Sequence, residues 1–580
     1  MQALLTLSDR FKEQVRVITD DPHFAFTHSK DFTEDGTIVN QSEIMRVCEE
    51  LAEQYDLCVD EGAAQRITEL CAEPEFSTPS LHLPDGFVLK KFQRRCLNTL
   101  ENRPLAMIQA SCGTGKTIMS TAMMCREFDK GHIDRAVVWC PSTLIGDWVE
   151  NIHQFTSLSV ATVNVKRPPA KRQEFYEHTT AQVLVLNYER VRTADLKAIG
   201  SALRGKNLMF VMDEVTKVKG RTSAIHRNLA KLIKKLKVAR RLALTATPIV
   251  VGPEDFYNEF RIIDPSAFGL VRDFEHEYTI NDGERDYWNN YVGYQHIAEM
   301  RAKVGAEMFS ADKTQPEIAA EFPQKQEILV PLDLTNEDSN VYQAIFDYGK
   351  ELDPDLRCGT LFALTFTRLC NMPEVLLTMQ HGGDKEYGKQ SEAIWEICQN
   401  HIKDIAGSKN SQKLAMVTEK VDEIMGSGER VIVFAAHTHN CLYPLAEHLK
   451  KMNPLLYTGD MSQTEKDESS RKFKDGGQKL LLMSDAGQLG LNFPECANII
   501  QYQTPVTHAA YEQRADRVHR LSSEADRVTI YRMLTRNTIE ERIEDTMQGR
   551  KQMSQAMGFG GEYEEVGDIS EADADWFCGF

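Results

Sequence analysis

The sequence predicts an α/β protein: two parallel-sheet lobes, a mostly helical insertion between them and a small N-terminal accessory domain. Three patterns carry this prediction. Short apolar runs alternate with helical stretches between residues 86 and 265, the same rhythm returns after Ser411, and the segment between has a longer period with aromatic and charged residues mixed. A chain of 580 residues holds about three to five domains. Its 42% hydrophobic and 26% charged content is that of a protein that buries large cores, which excludes wholesale disorder.

Residues 1–80 read as an acidic accessory domain, with a strand candidate near residues 15–18 and helices over 42–57 and 60–72. Pro74, Pro79 and Pro84 punctuate the connector that follows. Residues 81–265 form the first lobe, with strands at 105–110, 135–140, 182–187, 208–213 and 241–245. Residues 266–410 are the helical insertion and crossover, with loops at Gly382-Gly383 and over 406–412. The second lobe, 411–556, opens with a helix that sets Leu414, Val417, Val421, Ile424 and Met425 on one face, and four strands follow. Its last helix starts at Thr538, with Glu541 completing a capping box, and runs towards Gln555. Residues 557–580 form an acidic tail.

The formal charge of −19 sits at the two ends: residues 1–85 carry net −12, residues 561–580 carry net −7, and the stretch between is neutral. The whole-chain charge therefore does not oppose a phosphate-bearing partner. The acidic ends aid solubility, engage a protein partner, or compete with nucleic acid for a basic cleft. Lys90, Lys91, Arg94 and Arg95 form one basic cluster, and Lys166, Arg167, Lys171 and Arg172 another. Residues 215–241 carry ten Lys and Arg and no acid, which reads as a solvated helix face or as a wall for phosphates. Thirteen cysteines stand at least ten residues apart, so no zinc spacing exists; reduced thiols and no structural zinc are expected. Charge appears within the first ten residues and no apolar stretch reaches about 18, so no secretory leader and no membrane partner are expected.

The segment Ala110-Ser111-Cys112-Gly113-Thr114-Gly115-Lys116-Thr117 follows a strand and opens a helix, the context that a phosphate loop requires, with Ala in place of the first Gly. Gly113 and Gly115 let backbone N–H groups approach phosphate oxygens, and the helix N-terminus adds a favourable dipole. Lys116 then suits the β- and γ-phosphates and Thr117 suits Mg²⁺, so ATP and Mg²⁺ are the implied cofactors; the alternative is a Gly-rich turn that binds nothing. Ninety-seven residues after Lys116, an apolar strand ends in Asp213-Glu214-Val215-Thr216. Alone, the acidic pair is an exposed turn. Beside a phosphate loop, Asp213 suits holding Mg²⁺ through water and Glu214 suits polarising the attacking water. Thr245-Ala246-Thr247-Pro248 closes another strand, as a link to a second ligand or as a plain terminator. In residues 508–520, HAAYEQRADRVHR, Gln513, Arg517 and Arg520 fall at i, i+4 and i+7. One helical face then carries two guanidiniums that suit a γ-phosphate, or a solvated basic face.

The order of these motifs resembles the superfamily 2 helicases and, within them, the Swi/Snf-type ATPases that translocate on double-stranded DNA. The likeness spans about 86–550. Leu89-Lys90-Lys91-Phe92-Gln93 resembles the adenine-reading segment, with Gln93 as the base contact. Cys140-Pro141-Ser142-Thr143-Leu144-Ile145 with Trp148 is similar to the motif whose loop touches the DNA backbone. Leu369-Cys370-Asn371-Met372-Pro373, Ser411-Gln412-Lys413-Leu414, the stretch from Ser484 to Asn492, the stretch from Gln513 to Arg520 and Thr538-Ile539-Glu540-Glu541 resemble later motifs in order. Thr216 stands where most relatives have His, Leu521-Ser522-Ser523 replaces Ile-Gly-Gln, and Gln503-Thr504-Pro505 lacks the usual Trp-Asn.

The resemblance implies two RecA-like lobes that close on ATP, with Gln93, Ser111, Cys112, Gly113, Thr114, Gly115, Lys116, Thr117, Gly490 and Gln513 at the nucleotide. It implies catalytic roles for Lys116, Asp213, Glu214, Arg517 and Arg520, and a grip on one strand of a duplex through Ser142, Thr143, Thr245, Thr438 and Ser484. A compact bacterial or phage-like DNA-dependent ATPase is expected, cytoplasmic, or nuclear in a eukaryote. Its expected partner is double-stranded or branched DNA, and its expected work is branch migration or fork remodelling in recombination or repair. Displacement of proteins from DNA, an RNA helicase and a nucleotide-gated scaffold are the alternatives. The later motifs favour DNA over RNA, and intact Lys116, Glu214, Arg517 and Arg520 argue against a scaffold.

Overall fold

The protein is described by a computed structural model over residues 2–8, 14–19, 24, 32–33, 35–38, 44–71, 78–163, 166–218, 220, 222–246, 253–280, 293–313, 315–353, 357–378, 386–407, 411–485, 491–505 and 508–545. These residues fall into two compact units that divide between Ala319 and Ala320. Gly490, Thr247-Pro248, Gly382-Gly383, the acidic tail and the expected end of the last helix lie outside the described residues. Among the described residues no helix is long and apolar enough to cross a membrane.

The first unit opens with a small sheet in which β1 (Gln2–Leu7) lies between β2 (Val15–Thr19) and β3 (Asp56–Val59), antiparallel to the one and parallel to the other. Alternation sets its faces: Ala3 and Leu5 are buried while Gln2 and Leu4 are exposed. The helices Ile44–Gln54 and Glu61–Cys71 match the expected pair, and Ile44, Val47, Leu51 and Leu70 pack with the inward strand residues. Strand β3 is absent from the sequence reading because it starts two residues after the helix and is mostly exposed, so it carries no apolar alternation. The Gln14 side-chain amide donates to the carbonyl of Ala302, fastening this small domain to the lobe that follows.

That lobe is built on β4 (Leu105–Ala110), β5 (Arg135–Cys140), β6 (Val160–Thr162), β7 (Val183–Asn187), β8 (Leu208–Asp213) and β9 (Arg240–Thr245). A two-residue hairpin, β10 (Thr279–Ile280) and β11 (Gly293–Tyr294), precedes β12 (Met308–Ala311). The seven-stranded sheet runs β12-β4-β9-β8-β5-β7-β6, parallel throughout. Every residue of β5 and β8 is buried, the near-continuous apolar run of a strand covered on both faces. The order brings the carboxyl ends of β4, β9 and β8 side by side, and that edge is where a doubly covered parallel sheet binds ligands.

The second unit contains β13 (Gln324–Leu332), β14 (Val431–Phe434), β15 (Leu455–Tyr457), β16 (Leu480–Met483), β17 (Asn498–Gln501) and β18 (Arg527–Thr535), parallel in the order β13-β18-β17-β14-β16-β15. The two sheets are the RecA-like lobes that the resemblance implies. The stretch 266–410, expected as one helical crossover, divides between them: β12 joins the first sheet and β13 the second. Both are edge strands, one only four residues long and the other half-exposed, so neither carries a strong apolar signal. The helical content expected there is found in Asn336–Glu351, Gly359–Asn371 and Glu386–Asn400.

Three segments singled out in the sequence meet inside the second unit. Lys413 Nζ lies 2.6 Å from Glu540 Oε1, with both side chains 2% exposed, and Asn371 Nδ2 donates to the same oxygen at 3.1 Å. The other oxygen of Glu540 accepts from Thr535 N at 2.9 Å. Tyr502 places its ring 5.3 Å from Lys413 Nζ and donates its hydroxyl to Asn371 O. A buried charge left without its partner costs about 3–5 kcal/mol. Lys413→Met or Glu540→Gln alone should therefore destabilise the second unit by that amount in urea unfolding. The double variant should cost less than the sum of the singles, and additive losses would contradict the pair.

Candidate active site

At the end of β4 the chain turns through Ser111 to Gly115 and enters the helix Lys116–Asp129. Gly113 and Gly115 have φ of +79° and +88°, the left-handed region that favours glycine. A β-carbon on Gly115 would meet Gln93 Nε2 at 2.5 Å. Gln93 is itself buried: its Nε2 donates to Thr114 O at 2.8 Å, and its Oε1 accepts from Lys90 N at 2.9 Å. Gln93, expected as a base contact, braces the loop from behind, with each end of its amide bonded to backbone. Thr114 closes the turn by donating its hydroxyl to Ser111 O at 2.7 Å, and Lys116 Nζ donates to Ala110 O at 2.7 Å.

A contact that the sequence does not announce holds the first residue of the loop. Ser111 N donates to Ala311 O at 3.0 Å, its hydroxyl donates to Asp312 Oδ2 at 3.2 Å, and Lys313 N donates to the same hydroxyl at 3.2 Å. The partners come from the end of β12, some two hundred residues away, and only the β4–β12 pairing brings them close.

Two strands across, Asp213 ends β8 at 6% exposure. Its Oδ2 accepts from the Trp148 indole N–H at 2.8 Å and its Oδ1 from Glu214 N at 3.0 Å. Burial raises this carboxyl above the usual carboxylate range, while the Trp148 hydrogen bond, the charge of Lys116 and the Glu214 N–H oppose that rise. Tyr188 donates its hydroxyl to Asp213 O at 2.8 Å, holding the backbone at the strand end. Glu214 then leaves the strand at φ +49°, a conformation that costs a non-glycine residue about 1–3 kcal/mol. Trp148 belongs to the segment that resembles a motif whose loop touches DNA, and the structure sets its indole against the carboxylate.

These residues fit the expected ligands. Two left-handed glycines give the loop the backbone course that a phosphate cradle needs, and a β-carbon on Gly115 would collide with Gln93 behind it. Each Asp213 oxygen accepts one N–H, which leaves acceptor capacity for the waters of a hydrated Mg²⁺, an ion held through one or two carboxylates and phosphates. Asp213 and Thr117 are the residues that would hold it.

In the second unit the helix His508–Ala515 stops short of the two arginines. The single helical face expected from Gln513 to Arg520 is therefore not formed. Past Ala515 the chain turns, with Arg517 N donating to Arg514 O and Arg520 N to Val518 O. The two guanidiniums nonetheless converge: Arg517 Nη1 and Arg520 Nη2 both donate to Leu491 O, at 2.6 and 3.0 Å. The arginine that fixes the helix end is Arg514, which is fully buried and bound to Asp485 at 2.6 Å, Gln501 Oε1 at 2.9 Å and Gln503 O at 3.0 Å. Arg517 is buried as well, at 3% exposure, while Arg520 is half-buried, and nothing in a polar segment marks which arginines the fold covers.

The five expected nucleic-acid contacts separate by burial. Ser142 and Thr143 are exposed in the short turn Ser142–Leu144, and Thr438 is half-buried at the start of the turn Thr438–Leu442. Thr245 and Ser484 are buried, the first as the last residue of β9 and the second directly after β16. Burial alone therefore divides the five, with the first three accessible and these two covered.

Gly115→Ala tests the cradle: the added methyl meets Gln93 in a backbone conformation already unfavourable to alanine. Titration with a fluorescent ATP analogue should show at least about tenfold weaker binding, the equivalent of 1.4 kcal/mol. Unchanged affinity would place the nucleotide elsewhere.

A family model described as the SNF2-related domain matches residues 94–384, and one described as the helicase conserved C-terminal domain matches residues 412–522. The Bacillus subtilis protein named "Uncharacterized ATP-dependent helicase YqhH" is 21% identical over 444 residues, covering 76% of this chain and 73% of its own length. The Saccharomyces cerevisiae protein named "DNA repair and recombination protein RDH54" is 25% identical over 447 residues, covering 71% of this chain and 45% of its own length. The solved Sulfolobus solfataricus SWI2/SNF2 ATPase core in complex with dsDNA aligns over 85% of this chain and 97% of its own at 18% identity and a TM-score of 0.36. The chain spans between 39% and 73% of the length of the first three curated relatives that it matches. With one model matching half of its length and the second covering the other lobe, the chain belongs to the SNF2-related family of helicase-type proteins.

Proposed function

We propose that this chain is an ATP hydrolase that translocates on double-stranded DNA and remodels branched DNA, by branch migration or fork remodelling in recombination or repair. The observation that carries the hydrolase reading is the pairing, on one sheet edge, of a braced phosphate loop with a buried, hydrogen-bonded carboxylate. Family membership and the name of the yeast relative support the choice of DNA and of repair. The exposed Ser142–Leu144 turn and the exposed basic residues Arg227, Lys231, Lys234 and Lys235 of the helix Ala224–Leu236 supply surfaces that suit a phosphate backbone.

In this reading Lys116 exchanges its bond to Ala110 O for the β- and γ-phosphates. Glu214, turned out of the strand, orients the attacking water and takes its proton, while the Trp148 indole and the Glu214 N–H hold the Asp213 carboxylate in place. Arg517 and Arg520 carry the positive charge that the departing phosphate needs. Mg²⁺, when bound, neutralises charge on the phosphate oxygens.

Steady-state ATP hydrolysis with no nucleic acid, RNA, single-stranded DNA, duplex DNA or four-way junctions tests the proposal, with Lys116→Ala as the blank. Duplex or junction DNA should stimulate turnover, and stimulation should fall steeply as salt rises. Glu214→Gln should lower kcat by about 100-fold or more. Stimulation by RNA alone would move the chain to RNA, and no turnover under any condition would leave a nucleotide-gated scaffold.

A further inference from the structure

The helix Ile145–Phe155 touches both halves of the candidate active site with one face. Trp148 donates to Asp213 Oδ2 at 2.8 Å, and three residues on, Asn151 Oδ1 accepts from Thr121 Oγ1 at 2.9 Å. Thr121 belongs to the helix that Lys116 opens. Positions three apart share a helix face, so this one face spans from the metal-holding strand to the phosphate-loop helix. Thr121 is 0%, Trp148 1% and Asp213 6% exposed, and Asn151 is half-buried. Directly before the helix stands the exposed turn Ser142–Leu144. An indole has a single N–H donor, so a shift of Trp148 leaves Oδ2 of Asp213 without that bond. A close-packed interior passes such a shift on instead of absorbing it.

We infer that this helix couples nucleic-acid contact at Ser142 and Thr143 to the metal-holding geometry of Asp213, with Trp148 as the positioning residue that carries the coupling. Loading the turn moves the helix, and the indole N–H sets which Asp213 oxygen faces the phosphate loop. Hydrolysis then responds to DNA through this lobe alone. The coupling rests on the duplex reading proposed above; the positioning of Asp213 by Trp148 does not.

The test uses the full chain with Trp148→Phe, which removes the N–H, and with 3-benzothienylalanine at position 148. The second replacement keeps the two-ring shape with sulfur in place of N–H, and serves if the phenylalanine variant fails to fold. Three quantities are read: Mn²⁺ affinity by electron paramagnetic resonance in the presence of ADP and no DNA, duplex affinity by fluorescence anisotropy, and the factor by which duplex stimulates ATPase. Loss of an outer hydrogen bond to a metal-holding carboxylate should weaken Mn²⁺ about tenfold. Duplex affinity should stay close to wild type while the stimulation factor falls about fivefold or more. Unchanged Mn²⁺ affinity would overturn the positioning role and leave Trp148 a core residue. Weaker Mn²⁺ with unchanged stimulation would overturn the coupling. A wild-type chain that duplex fails to bind or stimulate would sink the duplex reading, and the coupling with it, while the Mn²⁺ comparison still decides what Trp148 does.

Discussion

Seating one buried carboxylate is the constraint on which the first lobe depends. Asp213 sits at the end of a strand covered on both faces, where burial favours its neutral form. Three groups oppose that tendency, and each comes from a different element: the Trp148 indole from the helix Ile145–Phe155, the Glu214 N–H from the strained turn, and Lys116 from the phosphate loop. These three contacts hold only while strand, helix and loop keep their mutual positions. The sheet order supplies that register by setting the ends of β4, β9 and β8 in a row, and the β4–β12 pairing adds the Ser111–Asp312 contact that holds the start of the loop.

The second unit solves a similar problem with a complete ion pair. Lys413 and Glu540 come from opposite ends of the lobe's sequence and meet where neither reaches water, with Asn371 and Tyr502 closing the network. Replacing both with apolar residues of similar size could be neutral for stability, so the pair is better understood as fixing which segments meet. It joins the segment after the last strand to the helix that opens the lobe and to the helix Gly359–Asn371, on the chain before it. Arg514 acts in the same way at the sheet edge, where its guanidinium gathers Asp485, Gln501 and Gln503 beneath the turns that carry Arg517 and Arg520.

Much of this was legible in the sequence because the decisive signals are local. A strand, two glycines and Lys116 follow one another without a break, and β8 is an uninterrupted apolar run ending in two acids. What escaped depends on partners distant in sequence. Gln93 as a brace, Ser111 on Asp312 and Trp148 on Asp213 are contacts between residues 21, 201 and 65 positions apart, and no periodicity encodes them. Strands β12 and β13 were hidden in a stretch read as helical because edge strands need little apolar surface. The burial of Thr245 and Ser484 was likewise not legible, because residue type suggests a ligand contact while burial is set by the layers that cover the sheet.

The central claim, a motor that moves along duplex DNA, is tested most directly by ATP turnover measured on duplexes of graded length at constant base-pair concentration. A translocase reaches the end of a short duplex quickly and loses time rebinding, so turnover should rise with length and level off once the duplex exceeds the distance travelled per encounter. Turnover independent of length would mean that DNA merely switches hydrolysis on at a fixed site, and would contradict movement along the duplex.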